Sequence, residues 1–431
     1  MPSEGFSRGS ANYSLRRPAT CAGFQVLVMT ASNSSRPFFT ILVPTRNRAH
    51  LLRHALRCAF AQTFDDFEVI VSDNDSSDKT PLTVKEFDHP KLRYVRTPKS
   101  MNMPDHWEWA VEHARGQYIT FLCDDDAISP IALATAAETI QQYKSKLLMM
   151  GGTAYFGANS IDEGCRNGIM IPYFRGGVEI VDSKAMIHEM EKFIPQPLFL
   201  PRMLNSFVHR DLFFGVRKEA GRVFHYSPDY SFALLMQSNT PTWAYMHEPL
   251  WIAGCFAESI GMSGSQNRGE AAKVFYNEMG PELFRNGLLT NYIVTNVLAN
   301  TYLECQKLMP QKLGDFKIDM VGYYYSAWKD MIVLEGYGVD ISEDIETFNK
   351  GLASQSEEIQ RAVRSKIRAL PLRISRYFGY RIPRSRLLIR IGTRLMYKSR
   401  FYWGDESNFA DIFEAAQMLP KVGPQKRQAA A

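Results

Sequence analysis

Apolar segments that suit buried strands alternate with helical segments between residues 38 and 130. The strand-like segments are "FFTILVP" (38–44), "FEVIVSD" (67–73), "KLRYVRT" (91–97) and "QYITFLC" (117–123). Between them, "NRAHLLRHALRCAFAQ" places apolar residues on one helical face, and "DHWEWAVEHARG" also has the pattern of a helix. This alternation predicts a parallel sheet with helices on both faces.

The ends of these helices carry recognisable signals. Asn47 is a candidate N-cap of the first helix, and Gly116 is a candidate stop for the second. A third helix is expected over 131–146, where Ser129 could be the N-cap and Pro130 the first helical residue.

Polar clusters follow three of the predicted strands. "PTRNR", "SDNDSSD" and "CDDDAISP" each lie just past a strand's carboxyl end. In a parallel sheet these ends share one edge, and ligands bind beyond that edge. The sequence therefore predicts a binding site there.

Asp124, Asp125 and Asp126 stand together at the end of a buried strand. Adjacent carboxylates repel one another, so solvent, basic side chains or a cation must compensate. Neither GxGxxG after the first strand nor GxxxxGK[ST] anywhere offers a glycine loop for phosphate, which favours a divalent ion. The alternative is an Asp-rich turn that caps the next helix. Asp73 has a similar alternative, an Asx-type turn in which Asp78 or Ser77 caps the next segment of the chain.

Three motifs together resemble the family 2 glycosyltransferases with the GT-A fold: "VPTRNR", "VSDNDSSD" and "ARGQYITFLCDDD". The resemblance covers residues 38–130 well and 131–260 loosely. It implies an α/β, Rossmann-like, mixed and mostly parallel sheet flanked by helices. It also implies transfer of a sugar, with inversion, from a nucleotide diphosphate sugar to an acceptor hydroxyl, with Mn²⁺ or Mg²⁺ as cofactor. No QxxRW signature is present, which favours non-processive transfer of one sugar.

The resemblance also implies roles for individual residues. The donor nucleotide would contact Pro44, Thr45, Asp73 and Asp124. The metal ion would bind Asp125, with Asp126 beside it. Asp229, in "YSPDYSFALLM", would be the general base, although it could instead be an ordinary N-cap.

Four segments are expected along the chain. They are a disordered leader (1–37), a GT-A domain (38–265), a helical region (266–360) and a basic amphipathic C-terminal region with a tail (361–431). Within the GT-A domain, 38–130 would bind the nucleotide and 131–265 the acceptor. Met29 is a second candidate start of the chain.

Basic residues concentrate in the C-terminal region. Residues 361–400 hold thirteen Lys or Arg and no Asp or Glu, within a chain of net charge +5. From Ser385 the sequence predicts a helix with one apolar face: Leu387, Leu388, Ile391, Leu395 and Met396. A basic amphipathic helix is typical of an anionic membrane surface. The alternative is that its apolar side packs on the catalytic domain. Nucleic acid is not expected, because no recognition motif accompanies the charge.

The spacing of the cysteines and the hydropathy of the chain indicate the cellular compartment. The six cysteines are scattered without ligand-like spacing, which favours reduced thiols, and no apolar run reaches the length of a membrane span. A cytoplasmic enzyme is expected, with peripheral attachment to the inner membrane face and a glycan or lipid-linked acceptor. The alternatives are a nucleotidyltransferase and a catalytically inactive relative that binds nucleotide sugars.

Overall fold

The structure is a computed structural model that describes residues 36–193, 200–266, 269–286, 288–369 and 385–423. The predicted leader, apart from residues 36 and 37, lies outside the described residues. The strands are β1 (Phe39–Thr45), β2 (Phe67–Asp73), β3 (Leu92–Arg96), β4 (Tyr118–Phe121), β5 (Ala127–Ile128), β6 (Leu147–Phe156), β7 (Gly168–Pro172), β8 (Val178–Asp182), β9 (Ser206–His209), β10 (Thr242–Cys255) and β11 (Ser399–Trp403).

Helices follow the strands closely in the first half of the chain and dominate the second half. They are α1 (Ala49–Phe60), α2 (Thr80–Lys85), α3 (Met103–Val111), α4 (Ala132–Tyr143), α5 (Ser183–Glu191), α6 (Arg210–Ala220), α7 (Pro228–Gln237), α8 (Ile260–Gln266), α9 (Glu270–Met279), α10 (Val294–Leu308), α11 (Pro310–Leu313), α12 (Met320–Gly336), α13 (Ser342–Ala353), α14 (Glu357–Ala369), α15 (Arg386–Met396), α16 (Gly404–Ser407) and α17 (Ile412–Met418).

The four strands predicted in the first half form the parallel part of the sheet. β1 lies between β2 and β4, and β3 extends the sheet beyond β2, all in parallel. The register sets Thr45 beside Asp73, so the polar residues after β1 and β2 meet at one edge. The predicted parallel sheet and its polar edge are confirmed.

Helices cover both faces of this sheet, and the alternation of side chains along β1 shows why. Phe39, Ile41 and Val43 point into one buried cluster, which includes side chains of α1, α4 and α17. Leu42 points into the other, with side chains of α3, α6, α7, α10 and α12. Successive residues of a strand face opposite sides, so a strand buried on both faces is apolar at most of its positions.

The second half of the sheet is mixed. In the described residues the strand order is β11-β7-β6-β9-β4-β1-β2-β3, and the long β10 pairs with β5, β6 and β8. β10 runs parallel to β6 and antiparallel to β5 and β8. The result is a mixed α/β sheet flanked by helices, with helices also forming most of 270–369, as predicted.

Three predicted helix ends are wrong. Asn47 has φ 56° and precedes the N-cap position, which Arg48 occupies; its side chain instead accepts a hydrogen bond from the Ser77 amide. α4 begins at Ala132, so Ser129 does not cap it.

Gly116 lies beyond the end of α3 at Val111 and is not its stop. A Cβ at Gly116 would lie 2.5 Å from the amide nitrogen of Thr40. The close approach of β1 therefore requires glycine at this position.

The C-terminal region contributes to the same sheet. β11 pairs antiparallel with β7 at the sheet edge, and Ile412 of α17 is buried in the same cluster as Leu52 of α1. No sequence pattern predicted this strand. The segment boundaries at 266 and 361 remain predictions.

Among the described residues, the five cysteines are free, and no helix is long and apolar enough to cross a bilayer.

Candidate active site

The acidic segment between β4 and β5 lies at the polar edge of the sheet, and its three carboxylates have different partners. Asp124 accepts hydrogen bonds from the Thr45 hydroxyl at 2.7 Å and from the Arg48 guanidinium at 3.1 Å. Its side chain is only 4% exposed. The end of β1 and the start of α1 thus hold Asp124 in place.

Arg48 is the cation that offsets the adjacent carboxylates. Besides Asp124, its guanidinium lies 3.7 Å from Asp125 and donates a hydrogen bond to the backbone carbonyl of Glu258. Burial alone would lower the pKa of Arg48, but the two carboxylates outweigh it and raise that pKa. Burial raises the pKa of Asp124, whereas Arg48 opposes this rise.

Asp125 and Asp126 point to different donors. Asp125 accepts a 2.7 Å hydrogen bond from the Ser259 hydroxyl. Asp126 accepts from the Trp251 indole nitrogen at 3.2 Å and from the Gly254 amide at 3.0 Å. Burial, and then the charge of Asp125, raise the pKa of Asp126 well above its usual range. Asp126 is thus fixed to β10, while Asp125 is the more exposed of the two.

The chemistry of this cluster fits a divalent cation. The Cys123 sulfur and one carboxylate oxygen each from Asp125 and Asp126 lie within 4.8 Å of one another. Mg²⁺ and Mn²⁺ prefer oxygen ligands and commonly use one or two protein carboxylates. Asp125 is the better placed ligand, because both oxygens of Asp126 already accept hydrogen bonds.

Gly254 is required for the position of the acidic segment. A Cβ there would lie 1.7 Å from the Asp125 carbonyl oxygen and 2.8 Å from both the Asp125 carbonyl carbon and a ring carbon of Phe256, so the Asp125 backbone itself would have to move.

Gly254→Ala is therefore expected to lower the free energy of unfolding by about 1–3 kcal/mol or more, as overpacking does, and to weaken donor binding. Chemical denaturation measures the first effect and calorimetry the second. Gly215→Ala is the matched control, since a Cβ there meets nothing within 4 Å inside α6. A variant at Gly254 as stable as this control would contradict the prediction.

A cavity of about 600 Å³ opens beside Asp124. Pro44 and Thr45 line it, as the resemblance implies for a nucleoside pocket. Its opposite wall comes from the chain after β10, including α9. His106 also lines the cavity, and burial lowers its pKa to about 4, so its ring is neutral near pH 7.

Asp73 does not line this cavity; Asn74 does. The Asp73 carboxylate is fully buried and accepts hydrogen bonds from the Ser76 amide, the Tyr94 hydroxyl and Arg96. The contact with Ser76 fits the alternative of an Asx-type turn, whereas the contacts with Tyr94 and Arg96 come from the neighbouring strand β3. The proposed contact of Asp73 with a nucleotide base would require Tyr94 or Arg96 to move.

Asp229 lies at the first turn of α7 and pairs with a second buried arginine. Arg202 lies 3.4 Å from the Asp229 carboxylate, and the Ser227 hydroxyl donates to the other oxygen at 3.1 Å. Burial raises the pKa of Asp229, and Arg202 opposes the rise. The Ser227 side chain accepts no cap bond, and Asp229 follows the cap position, so the simple N-cap alternative does not describe it.

Arg202 also connects Asp229 to the acidic segment. Its guanidinium lies 5.4 Å from the Trp251 ring centroid, and the same indole donates to Asp126. The sequence patterns identified neither Arg48 nor Arg202 as a site residue. Arg48 lies in the quoted "VPTRNR", but sequence spacing does not show which basic residue turns toward an acid.

The fold and the acidic site together define the class: a mixed α/β domain, whose parallel strands present an acidic segment and a cavity of about 600 Å³ at one edge. Residues 40–199 match the sequence profile of the family described as Glycosyl transferase family 2. This match confirms, for residues 40–199, the resemblance to family 2 seen in the sequence.

Similar proteins include two bacterial transferases. GalNAc(5)-diNAcBac-PP-undecaprenol beta-1,3-glucosyltransferase of Campylobacter jejuni is 35% identical over 102 residues, which cover 23% of this chain and 33% of that protein. UDP-Glc:alpha-D-GlcNAc-diphosphoundecaprenol beta-1,3-glucosyltransferase WfgD of Escherichia coli is 29% identical over 20% of this chain and 34% of its own length. The chain thus spans about a third of the length of each relative.

Among solved structures, TarS 1-349 of S. aureus in complex with UDP-GlcNAc aligns with a TM-score of 0.45 and 17% identity. The alignment covers 83% of this chain and 91% of that chain.

Proposed function

We propose that the protein is an inverting, metal-dependent, non-processive glycosyltransferase that moves one sugar from a nucleotide diphosphate sugar to an acceptor hydroxyl. One observation carries the proposal. The Arg48-bound acidic segment lines a cavity at the parallel sheet edge, and Arg202 and Trp251 connect that segment to Asp229.

In this proposal Pro44, Thr45 and Asp124 bind the donor nucleotide. Asp125, with Asp126 beside it, would hold Mn²⁺ or Mg²⁺, which would supply positive charge to offset the charge developing on the leaving diphosphate. Arg48 lies on the same cavity wall and adds a second positive charge near the phosphates. Asp73 is proposed to contact the base only after its present partners shift.

Asp229 acts as the general base. Its carboxylate takes the proton of the acceptor hydroxyl as the hydroxyl oxygen bonds to the anomeric carbon. The bond from that carbon to the phosphate oxygen breaks, and the nucleoside diphosphate leaves with the electron pair. Attack opposite the leaving group inverts the anomeric configuration. Arg202 is a positioning residue that orients Asp229 and favours its charged form.

Arg202→Met is expected to move the acidic limb of the kcat/KM profile to higher pH. Burial raises the pKa of Asp229, and the charge of Arg202 opposes that rise, so its removal keeps the acid protonated to higher pH. Only the carboxylate form accepts a proton. Arg202→Lys keeps the charge and should shift the limb less. Equal pH profiles for the wild type and Arg202→Met, at unchanged melting temperature, would argue against this role.

The acceptor and the cellular role that we propose are inferred from the similar proteins. The names of the two transferases refer to undecaprenol-linked substrates, and a succinoglycan biosynthesis protein, ExoO of Rhizobium meliloti, is also similar. We extend this to a glycan or lipid-linked acceptor in cell-surface polysaccharide synthesis. The proposed location is the cytoplasm, with peripheral attachment to the inner membrane face through residues 361–400.

The test is a panel of nucleotide sugars in thermal-shift assays with Mn²⁺, with Mg²⁺ and with EDTA, followed by product analysis with the best donor. We expect one donor to raise the melting temperature only with the metal present, and the nucleoside diphosphate to be the released product. Pyrophosphate release from a nucleoside triphosphate and a sugar phosphate would favour the nucleotidyltransferase. Donor binding without turnover on any lipid-linked or glycan acceptor would favour the inactive relative.

A further inference from the structure

The helix α15 exposes large apolar side chains to solvent. Eleven large hydrophobic residues are exposed in the described part of the chain, and five of them lie between 387 and 397. We call four of them the apolar strip: Leu387, Leu388, Ile391 and Leu395. Leu387 and Leu395 are 66% and 74% exposed. Contiguous exposed apolar surface of this kind marks an interaction site.

The opposite side of α15 attaches the helix to the domain. Ile389 is 3% exposed and Thr393 is buried. At about 100° per residue, these two side chains lie on the side of the helix away from the apolar strip. The alternative in which the apolar face packs on the catalytic domain is therefore wrong for the described residues. The domain packs against the side of α15 that carries Ile389 and Thr393 and leaves the apolar strip exposed to solvent.

Two arginines fix this orientation. Arg386 pairs with Asp405 at 2.8 Å and with Glu406 at 3.0 Å, and Arg390 also pairs with Glu406. Both guanidinium groups lie over the Trp403 ring, 5.1 and 5.2 Å from its centroid. The strip cannot turn inward without breaking these contacts.

The charges beside the strip favour an anionic partner. Arg394 is exposed and has no ion pair within the described residues, and it lies four residues from both Arg390 and Lys398. A second copy of this chain would bring a like-charged rim against the strip. An anionic lipid surface offers both hydrocarbon for the strip and negative charge for the arginines.

We infer that α15 lies in the headgroup layer of an anionic membrane, with Leu387, Leu388, Ile391 and Leu395 inserted and Arg394 among the lipid phosphates. Arg386 and Arg390 remain paired with acidic side chains of the domain, so the orientation of α15 on the membrane fixes the orientation of the domain. This inference rests on the peripheral attachment proposed above and names the helix and side chains that would make it, but it does not depend on the transfer reaction.

The experiment is co-sedimentation of the full chain with vesicles of phosphatidylglycerol and phosphatidylcholine, and with vesicles of phosphatidylcholine alone. We expect binding to the anionic vesicles, weakened but not abolished by salt. Leu387→Glu/Leu395→Glu should reduce the binding constant by on the order of tenfold or more, since each leucine would lose its apolar contact. Leu82→Glu is the matched control, an exposed leucine of α2 at 59%, and should bind as the wild type does.

A second experiment measures directly whether the apolar strip inserts into the membrane. The emission of Leu395→Trp is expected to shift to shorter wavelength with anionic vesicles, relative to the same variant without them. Wild-type protein that stays in the supernatant at low salt would overturn the inference, as would equal binding by the double variant. A dimer seen by light scattering that the double variant dissociates, without vesicle binding, would assign the strip to a second copy instead.

Discussion

Asp229→Asn is expected to lower kcat by about 10³-fold, which corresponds to about 4 kcal/mol of activation free energy. The amide keeps the size of the side chain and can still accept a hydrogen bond from Ser227, but it cannot take a proton from the acceptor. Donor affinity should stay near that of the wild type, because Asp229 does not line the cavity beside Asp124.

Steady-state kinetics with the donor found in the thermal-shift panel measure this effect, and calorimetry measures donor binding. Asp315→Asn is the matched control, an exposed carboxylate in the loop before α12. Melting temperatures show whether loss of the ion pair with Arg202 has altered the fold. Undiminished turnover by a folded Asp229→Asn enzyme would show that Asp229 is not the general base.

Asp125→Ala is expected to make donor binding insensitive to the metal. The wild-type protein should bind its donor much more weakly in EDTA than in Mn²⁺, because no glycine loop is available to hold the phosphates. The variant should bind equally weakly in both, and Mn²⁺ alone should no longer raise its melting temperature. The affinity difference is expected to be about 10²-fold or more, as for the loss of a main metal ligand.

Calorimetry with Mn²⁺ alone measures metal binding, and calorimetry with the donor measures donor binding. Asp315→Ala should behave as the wild type does. If the wild type itself binds the donor equally well in EDTA and in Mn²⁺, the metal assignment fails while the transfer reaction can still stand. The Asp229→Asn and Asp125→Ala results can therefore fail independently.

The strands were the most predictable part of the fold, for a physical reason. β2 is buried at all seven positions because both faces of the sheet are covered, and four of the seven residues are apolar; its predicted bounds at 67 and 73 are those of the structure. The end of β1 and the turn at Asn47 were less predictable. A helix cap depends on the dihedral angles of one residue, and Asn47 adopts a left-handed conformation that its sequence context did not indicate.

The sequence predicted the acidic residues of the site but not the side chains that pair with them. Asp124 to Asp126 stand out in the sequence because three adjacent carboxylates are unusual after a buried strand. Their balance comes from Arg48, which lies 76 residues earlier, and Arg202 approaches Asp229 from a separate segment. Such pairs form only when distant loops meet at the sheet edge, so a linear pattern does not reveal them. For the same reason the sequence did not show that Asp73 is enclosed by Tyr94 and Arg96.

The pairing of β11 with β7 has a consequence for biosynthesis. β7 ends at Pro172 and its outer partner begins at Ser399, so a ribosome must add about 230 residues before the sheet edge can be completed. At roughly 5–20 residues per second, β7 would present an open edge for tens of seconds. The chain should therefore need protection by a chaperone during translation, and fragments that end near residue 360 should aggregate.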